Sequence, residues 1–263
     1  MIKISDLRKD KKKNKLVMLT CYDFTFASLF EKEKENIDMI LVGDSLANVI
    51  KGEDSTVKTT LEDIIYHTKA VRKGAPSIFT VADMPFMSYQ ISVEEAVRNA
   101  GRLISEAGAN AVKLEGGRDF SEHVKAITRA GIPVMGHLGL TPQWINVFGS
   151  YNVRGKSSDE SDKIREDAKI LQECGAFSIV LECVPEKLAS NISQDLEIPT
   201  IGIGAGKEVD GQVLVLQDML GMNDNKFKFL RKYSQIGEIT RNAIKEYSKD
   251  VKEKSFPSKK ESF

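Results

Sequence analysis

Short apolar runs rich in β-branched residues recur along the chain. Between most of them, apolar residues return with helical spacing, which predicts strands alternating with helices. The strand candidates are LVMLTCYD (16–23), MILVGDS (39–45), SIFTVADMP (77–85), AVKLEGG (111–117), PVMGHLGL (133–140), SIVLECVP (178–185), PTIGIGAG (199–206) and VLVLQDML (213–220). Helix candidates include TLEDIIYHTKAVRKG, SVEEAVRNAGRLISEAG, FSEHVKAITRAG and DESDKIREDAKILQECG, and all four close on a glycine, a common helix stop. Several open on Ser, Thr or Asp, the usual N-caps. The link between the seventh and eighth runs is short and weak as a helix. Eight strands alternating with helices predict an α/β fold, a single-domain (β/α)8 TIM barrel over 1–263, with a polar tail from about residue 249. A doubly wound open sheet is the competing architecture. It usually carries a glycine-rich nucleotide loop after the first strand, where this chain has TCYDF. The late GIGAG at 202–206 suits a phosphate loop in a barrel or a simple backbone turn.

Composition narrows the class further. The 263 residues are 41% hydrophobic, and Lys+Arg and Asp+Glu both number 38, so no net field calls for nucleic acid. The locally basic run Arg8–Lys15 reads as a solvated segment before the first strand. Three cysteines (Cys21, Cys174, Cys183) form no CxxC and no even framework, which suits a reducing cytosol. No stretch approaches the ~18 apolar residues of a membrane span. The expectation is a cytoplasmic protein with neither a membrane nor a nucleic-acid partner.

The polar residues that interrupt the apolar runs carry the chemistry. Tyr22 and Asp23 end the first run, Asp44 and Ser45 the second, and Asp83 lies near the end of the third. Lys113 and Glu115 fall late in the fourth, His137 late in the fifth, and Glu182 late in the sixth. In a (β/α)8 barrel these ends meet at one mouth, where active sites form. Lys113 and Glu115 are two residues apart, so on a strand they share a face. Asp23 alone is more simply a helix cap. Asp44, Asp83 and Glu115 together are three carboxylates at one mouth, and like charges so close call for a cation. All-oxygen donors favour Mg²⁺, and no HxH, HExxH or CxxC favours zinc. Lys113 either neutralises this cluster or binds an anionic substrate. His137 suits either the pocket or a hydrogen-bonded core position. His67 and His123 lie on helical segments and read as structural or exposed, and Cys183 reads as packing. Glu182, between Leu181 and Cys183, is a candidate general base.

A hard cation, a lysine and a separate carboxylate base suit proton abstraction next to a carbonyl. A 2-oxo acid chelates Mg²⁺ through its carboxylate and keto oxygens, and the metal stabilises the enolate. The residues do not name the acid or the electrophile. A lyase or mutase of the same barrel type is one alternative, although no cysteine lies in an obvious gating loop. A non-catalytic metabolite-binding barrel is another.

LVGDSLANVIKGEDST, VADMPF, NAVKLEGG, GHLGLTPQ, VLECVP and IPTIGIGAG occur in this order, from about Leu16 to Met222. They closely resemble the ketopantoate hydroxymethyltransferase family. The resemblance implies a (β/α)8 barrel of the phosphoenolpyruvate/pyruvate type. It implies that 3-methyl-2-oxobutanoate and 5,10-methylenetetrahydrofolate, the one-carbon donor, give ketopantoate on the way to pantothenate and coenzyme A. By the same resemblance, Asp44 and Asp83 match metal-binding aspartates and Glu115 a third acidic group near the Mg²⁺. Asp44, Ser45, Asp83, Lys113 and His137 match substrate contacts, and Glu182 matches the proton acceptor. A homo-oligomer, commonly a decamer, is implied as well. No motif marks the folate site.

Overall fold

In the computed structural model of the chain, the described residues are 4–5, 11 and 14–263. Of the basic run, Arg8, Lys9, Asp10, Lys12 and Lys13 lie outside the described residues. Each apolar run supplies one short strand: β1 (Leu16–Thr20), β2 (Met39–Val42), β3 (Phe79–Asp83), β4 (Ala111–Glu115), β5 (Val134–Gly139), β6 (Ser178–Glu182), β7 (Thr200–Ile203) and β8 (Gly211–Leu214). The strands run parallel in chain order, and β8 returns to β1 to close the barrel. The register sets Met18 beside Met39, Asp83 beside Lys113, Glu115 beside His137 and Gly139 beside Glu182. Met18, Met39, Leu41, Phe79, Val81, Met135, Ile201 and Val213 belong to one buried apolar cluster. Strands covered by helices on the outside and packed side chains within bury both faces, which is why these runs are apolar almost throughout.

The intervening helices are α1 (Phe24–Lys32), α2 (Leu46–Val49), α3 (Leu61–Gly74), α4 (Val93–Ser105), α5 (Ser121–Arg129), α6 (Ile145–Phe148), α7 (Ser158–Glu173) and α8 (Glu186–Asp195). Local chemistry starts and stops them. Asp23 caps α1 by accepting the Phe26 N–H at 2.9 Å, as its cap reading requires. Thr60 and Asp63 form a reciprocal capping box at α3. Ser92 and Ser157 cap α4 and α7. Gly108, Gly131 and Gly175, just beyond α4, α5 and α7, have positive φ values that favour glycine.

The eighth strand needs a correction. It spans Gly211–Leu214, and Leu216–Met219 (α9) is helical where a strand was expected through 220. A continuous apolar run such as VLVLQDML has no alternation, so periodicity cannot separate strand from buried helix. No helix lies between β7 and β8, in keeping with the weak signal there.

The chain divides into two compact units, residues 1–214 and 215–263. The first holds the whole barrel. The second contains α9 and α10 (Ile236–Glu253). In it the Asp218 carboxylate accepts side-chain N–H groups of Asn223 and Asn225, at 2.5 and 2.9 Å. α10 continues past residue 249, so the first residues of the expected polar tail are helical as far as Glu253. No described helix is long and apolar enough to cross a membrane.

Candidate active site

The C-terminal ends of β2 to β6 bring the expected residues to one mouth. Asp83 and Glu115 are the last residues of β3 and β4, and Glu182 is the last of β6. Asp44 and Ser45 lie just beyond β2 rather than in it, in the turn that enters α2. There the Asp44 N–H donates to Asp83 Oδ2 at 2.9 Å. The Lys113 ammonium stands 2.7 Å from Asp83 Oδ1 and 3.4 Å from His137 Nδ1. His137 Nδ1 is also 3.3 Å from Glu115 Oε1, and its Nε2 is 3.2 Å from Glu182 Oε2. One chain of contacts therefore runs Asp44–Asp83–Lys113–His137–Glu182, with Glu115 joined at the histidine. Lys113 and Glu115, which share a face of β4, both approach His137 Nδ1, and the lysine pairs more closely with Asp83. Ser45 Oγ lies 2.7 Å from the Tyr22 hydroxyl. The Tyr22 carbonyl in turn is 2.6 Å from His67 Nδ1, which gives His67 a structural role.

All of these side chains except those of Ser45, His67 and Glu182 are almost fully buried; Glu182 keeps 19% of its side-chain surface open. Burial, joined by the charges of Asp83 and Glu115, pushes the Asp44 carboxyl well above the usual range. Asp83 is also raised by burial, against the pull of Lys113. Burial disfavours the Lys113 ammonium, yet three carboxylates outweigh it and hold the lysine charged. Burial and Lys113 likewise oppose protonation of His137, but Glu115 and Glu182 outweigh them and lift the imidazole to about 9. A protonated ring donates to Glu115 and leaves no lone pair for Lys113.

Two residues at this site carry no charge and gave no signal in the apolar pattern. Gln143 is 2% exposed and lies in the short 3₁₀ turn Pro142–Trp144 after β5. Its backbone N–H donates to Glu115 Oε2 at 3.0 Å, and its Nε2 donates to Asp44 Oδ2 at 2.9 Å. Tyr89, fully buried, sets its hydroxyl 2.9 Å from the Glu115 carbonyl and 3.1 Å from Gln143 Oε1. The GHLGLTPQ motif contains Gln143, but a polar residue after proline in a turn is too common to stand out. Cys183 follows β6 rather than lying in it, with φ 47 at the step after Glu182. Burial pushes its thiol up to about 12, consistent with a packing role.

Among the described residues, no group of three or more His, Cys, Asp or Glu side chains forms a ready metal cage. Both Glu115 oxygens are in contact, one with His137 and one with the Gln143 N–H, as both Asp83 oxygens are with Lys113 and the Asp44 N–H. The remaining chemistry still fits a hard divalent cation. Among the described residues, Asp44, Asp83, Glu115 and Glu182 face Lys113 and His137 as counter-charges. A buried surplus of negative charge carried by oxygen donors, two of them disfavoured as anions, is the environment that Mg²⁺ relieves.

A closed (β/α)8 barrel with its ionisable groups buried at the C-terminal strand ends has the architecture of a barrel enzyme. Solved structures share that fold. A phosphonopyruvate hydrolase in complex with oxalate and Mg²⁺ superposes with TM-score 0.63 at 12% identity, covering 99% of this chain and 93% of the other. A 2,3-dimethylmalate lyase of the PEP mutase/isocitrate lyase superfamily gives TM-score 0.60 at 15% identity, covering 98% and 91%. Sequence similarity is far closer to another group. The family profile described as ketopantoate hydroxymethyltransferase matches residues 1–259. The 3-methyl-2-oxobutanoate hydroxymethyltransferase of Syntrophus aciditrophicus (strain SB) is 54% identical over 254 residues, 96% of this chain and 93% of the relative. That of Clostridium botulinum (strain 657 / Type Ba4) is 55% identical over 250 residues, covering 95% and 90%. The chain belongs to the ketopantoate hydroxymethyltransferase family.

Proposed function

We propose that this chain transfers a hydroxymethyl group from 5,10-methylenetetrahydrofolate to 3-methyl-2-oxobutanoate. The product is 2-dehydropantoate (ketopantoate), on the route to pantothenate and coenzyme A. Family membership supports the reaction. The observation that supports its chemistry is the pairing of Lys113 with Asp83 beside the contact of His137 with the partly open Glu182.

Glu182, which keeps such an opening where Asp44, Asp83 and Glu115 are buried, is assigned removal of the C3 proton of the oxo acid. His137 at 3.2 Å orients that carboxylate. Lys113 supplies a fixed positive charge for the substrate's carboxylate or for the negative charge that spreads to the 2-oxo oxygen. The nucleophilic C3 then bonds to the methylene carbon, its bonds to the two folate nitrogens are given up, and water supplies the hydroxyl oxygen. Asp44 and Asp83 would hold Mg²⁺, with Glu115 beside it acting through water. When bound, Mg²⁺ supplies Lewis-acid polarisation of the 2-oxo group. Ser45 and the backbone around it are assigned to the oxo acid. In the same reading the protein is a cytoplasmic homo-oligomer, a decamer as the family resemblance implies.

Proton NMR of 3-methyl-2-oxobutanoate in D₂O tests this reading. Mg²⁺-dependent loss of the C3 proton signal, followed by ketopantoate on adding methylenetetrahydrofolate, is expected. Neither exchange nor ketopantoate in the presence of both Mg²⁺ and folate would overturn it.

A further inference from the structure

Gln143 holds two of the mouth carboxylates at once, and it does so without charge. The orientation of its amide follows from its neighbours. Oε1 faces Gln90 Nε2 at 3.3 Å and the Tyr89 hydroxyl at 3.1 Å, both able to donate. Nε2 donates to Asp44 Oδ2 at 2.9 Å and to the Met84 carbonyl at 3.0 Å, the carbonyl being an acceptor only. A flipped amide would set oxygen against the Met84 carbonyl oxygen, so this orientation is fixed by its partners. The backbone N–H of the same residue meets Glu115 Oε2 at 3.0 Å. One residue in a short turn after β5 therefore ties the end of β4 to the turn after β2.

The neutrality of the side chain matters. A lysine at this position could reach the same carboxylate, but it would cancel the negative charge that a cation needs. An amide fixes the rotamer of Asp44 and leaves that charge in place. Outer hydrogen bonds of this kind orient ligands and tune their affinity for metal. Resting on the Mg²⁺ reading above, we infer that Gln143 is a positioning residue for cation binding. Its amide sets the direction of the Asp44 carboxylate, and its backbone sets that of Glu115.

The test titrates the full-length protein with Mn²⁺, free ion being followed by electron paramagnetic resonance. Gln143→Met keeps similar length and removes the amide. Gln143→Asn keeps an amide one methylene too short to reach Asp44 and serves if the first variant does not fold. Both leave the backbone N–H to Glu115. For either variant with native circular dichroism, a Mn²⁺ Kd raised on the order of ten-fold or more is expected. Double-mutant comparison with Glu182→Gln, a residue whose side chain pairs with His137 rather than with Gln143, should show independent effects on Mn²⁺ affinity. Wild-type affinity in a folded Gln143 variant would overturn the inference and leave the metal reading standing. Absence of saturable Mn²⁺ binding by the unmodified protein would overturn both.

Discussion

Lys113 and Asp83 form a buried ion pair, and the energetics of such a pair are asymmetric. Taking two charges out of water costs nearly what their attraction returns, but removing one partner strands the other. Asp83→Ala is expected to lower stability by about 3–5 kcal/mol because Lys113 is left without its nearest counter-charge. The double variant Asp83→Ala, Lys113→Met should lose less than the sum of the two single changes, measured by urea unfolding. Additive losses would mean that the 2.7 Å contact carries no coupling. Glu182 is different because it is partly open. Glu182→Gln keeps the shape and removes the base, so C3 proton exchange should fall at least a hundredfold, in line with general-base contributions. Binding of the oxo acid should persist, and exchange at the normal rate would remove Glu182 from the role. These charged residues were legible in sequence because a charge inside an apolar run is costly and calls for a partner. Gln143 and Tyr89 were not legible. A neutral side chain in a turn and an aromatic beside it look like any loop until their partners are seen.

At the scale of elements, seven of the eight apolar runs contain their strands, but each strand stops short of its run's C-terminal end. β2 ends at Val42, and Asp44 and Ser45 belong to the turn beyond it. The hydrophobic pattern marks burial rather than ladder pairing, and the mouth loops of a barrel are buried too. The eighth run lacked alternation, and its strand begins at Gly211-Gln212, residues that no hydrophobic count would select. Helices with caps were easier to read. α3 runs Leu61–Gly74 within the expected 60–74 because Thr60 and Asp63 fix its start. Thr60→Ala removes the side-chain oxygen that accepts the Asp63 N–H at 3.2 Å. A loss of about 1 kcal/mol is expected, read as a shift in the urea midpoint with unchanged slope. No measurable shift would mean that the rest of α3 holds that turn unaided.

The barrel as a whole depends on one seam that joins the first strand to the last. Leu16 pairs with Gly211 across nearly two hundred residues of sequence, so this contact closes the longest loop in the sheet. Polar anchoring supports the same end. Asp210 Oδ2 accepts from Ser193 Oγ at 2.8 Å and from the Thr200 N–H at 2.9 Å, and lies 3.5 Å from Lys11 Nζ. The seam is also tight. A Cβ at Gly211 would meet Ile201 Cδ1, Leu16 Cβ and the Leu16 carbonyl oxygen, each at 2.7 Å. The side-chain carbon of Ile201 can swing away, but the Leu16 backbone cannot yield without moving β1. Gly211→Ala is therefore expected to cost about 1–3 kcal/mol, the usual range for overpacking. Gly101 provides the comparison, since it lies within α4 and a Cβ there meets nothing within 4 Å. Gly101→Ala should instead stabilise by about 0.5–1 kcal/mol through helix propensity. The same residue change with opposite signs, measured by urea unfolding of the two variants side by side, separates closure of the barrel from local preference. Equal effects would show that the seam has room for a methyl group and that closure does not depend on its absence. Displacement of β1 would also reach the mouth, because β1 leads directly into Tyr22, whose hydroxyl meets Ser45. Gly211→Ala should thus raise KM for the oxo acid although the substitution lies at the far end of the strands, and an unchanged KM would confine the effect of closure to stability.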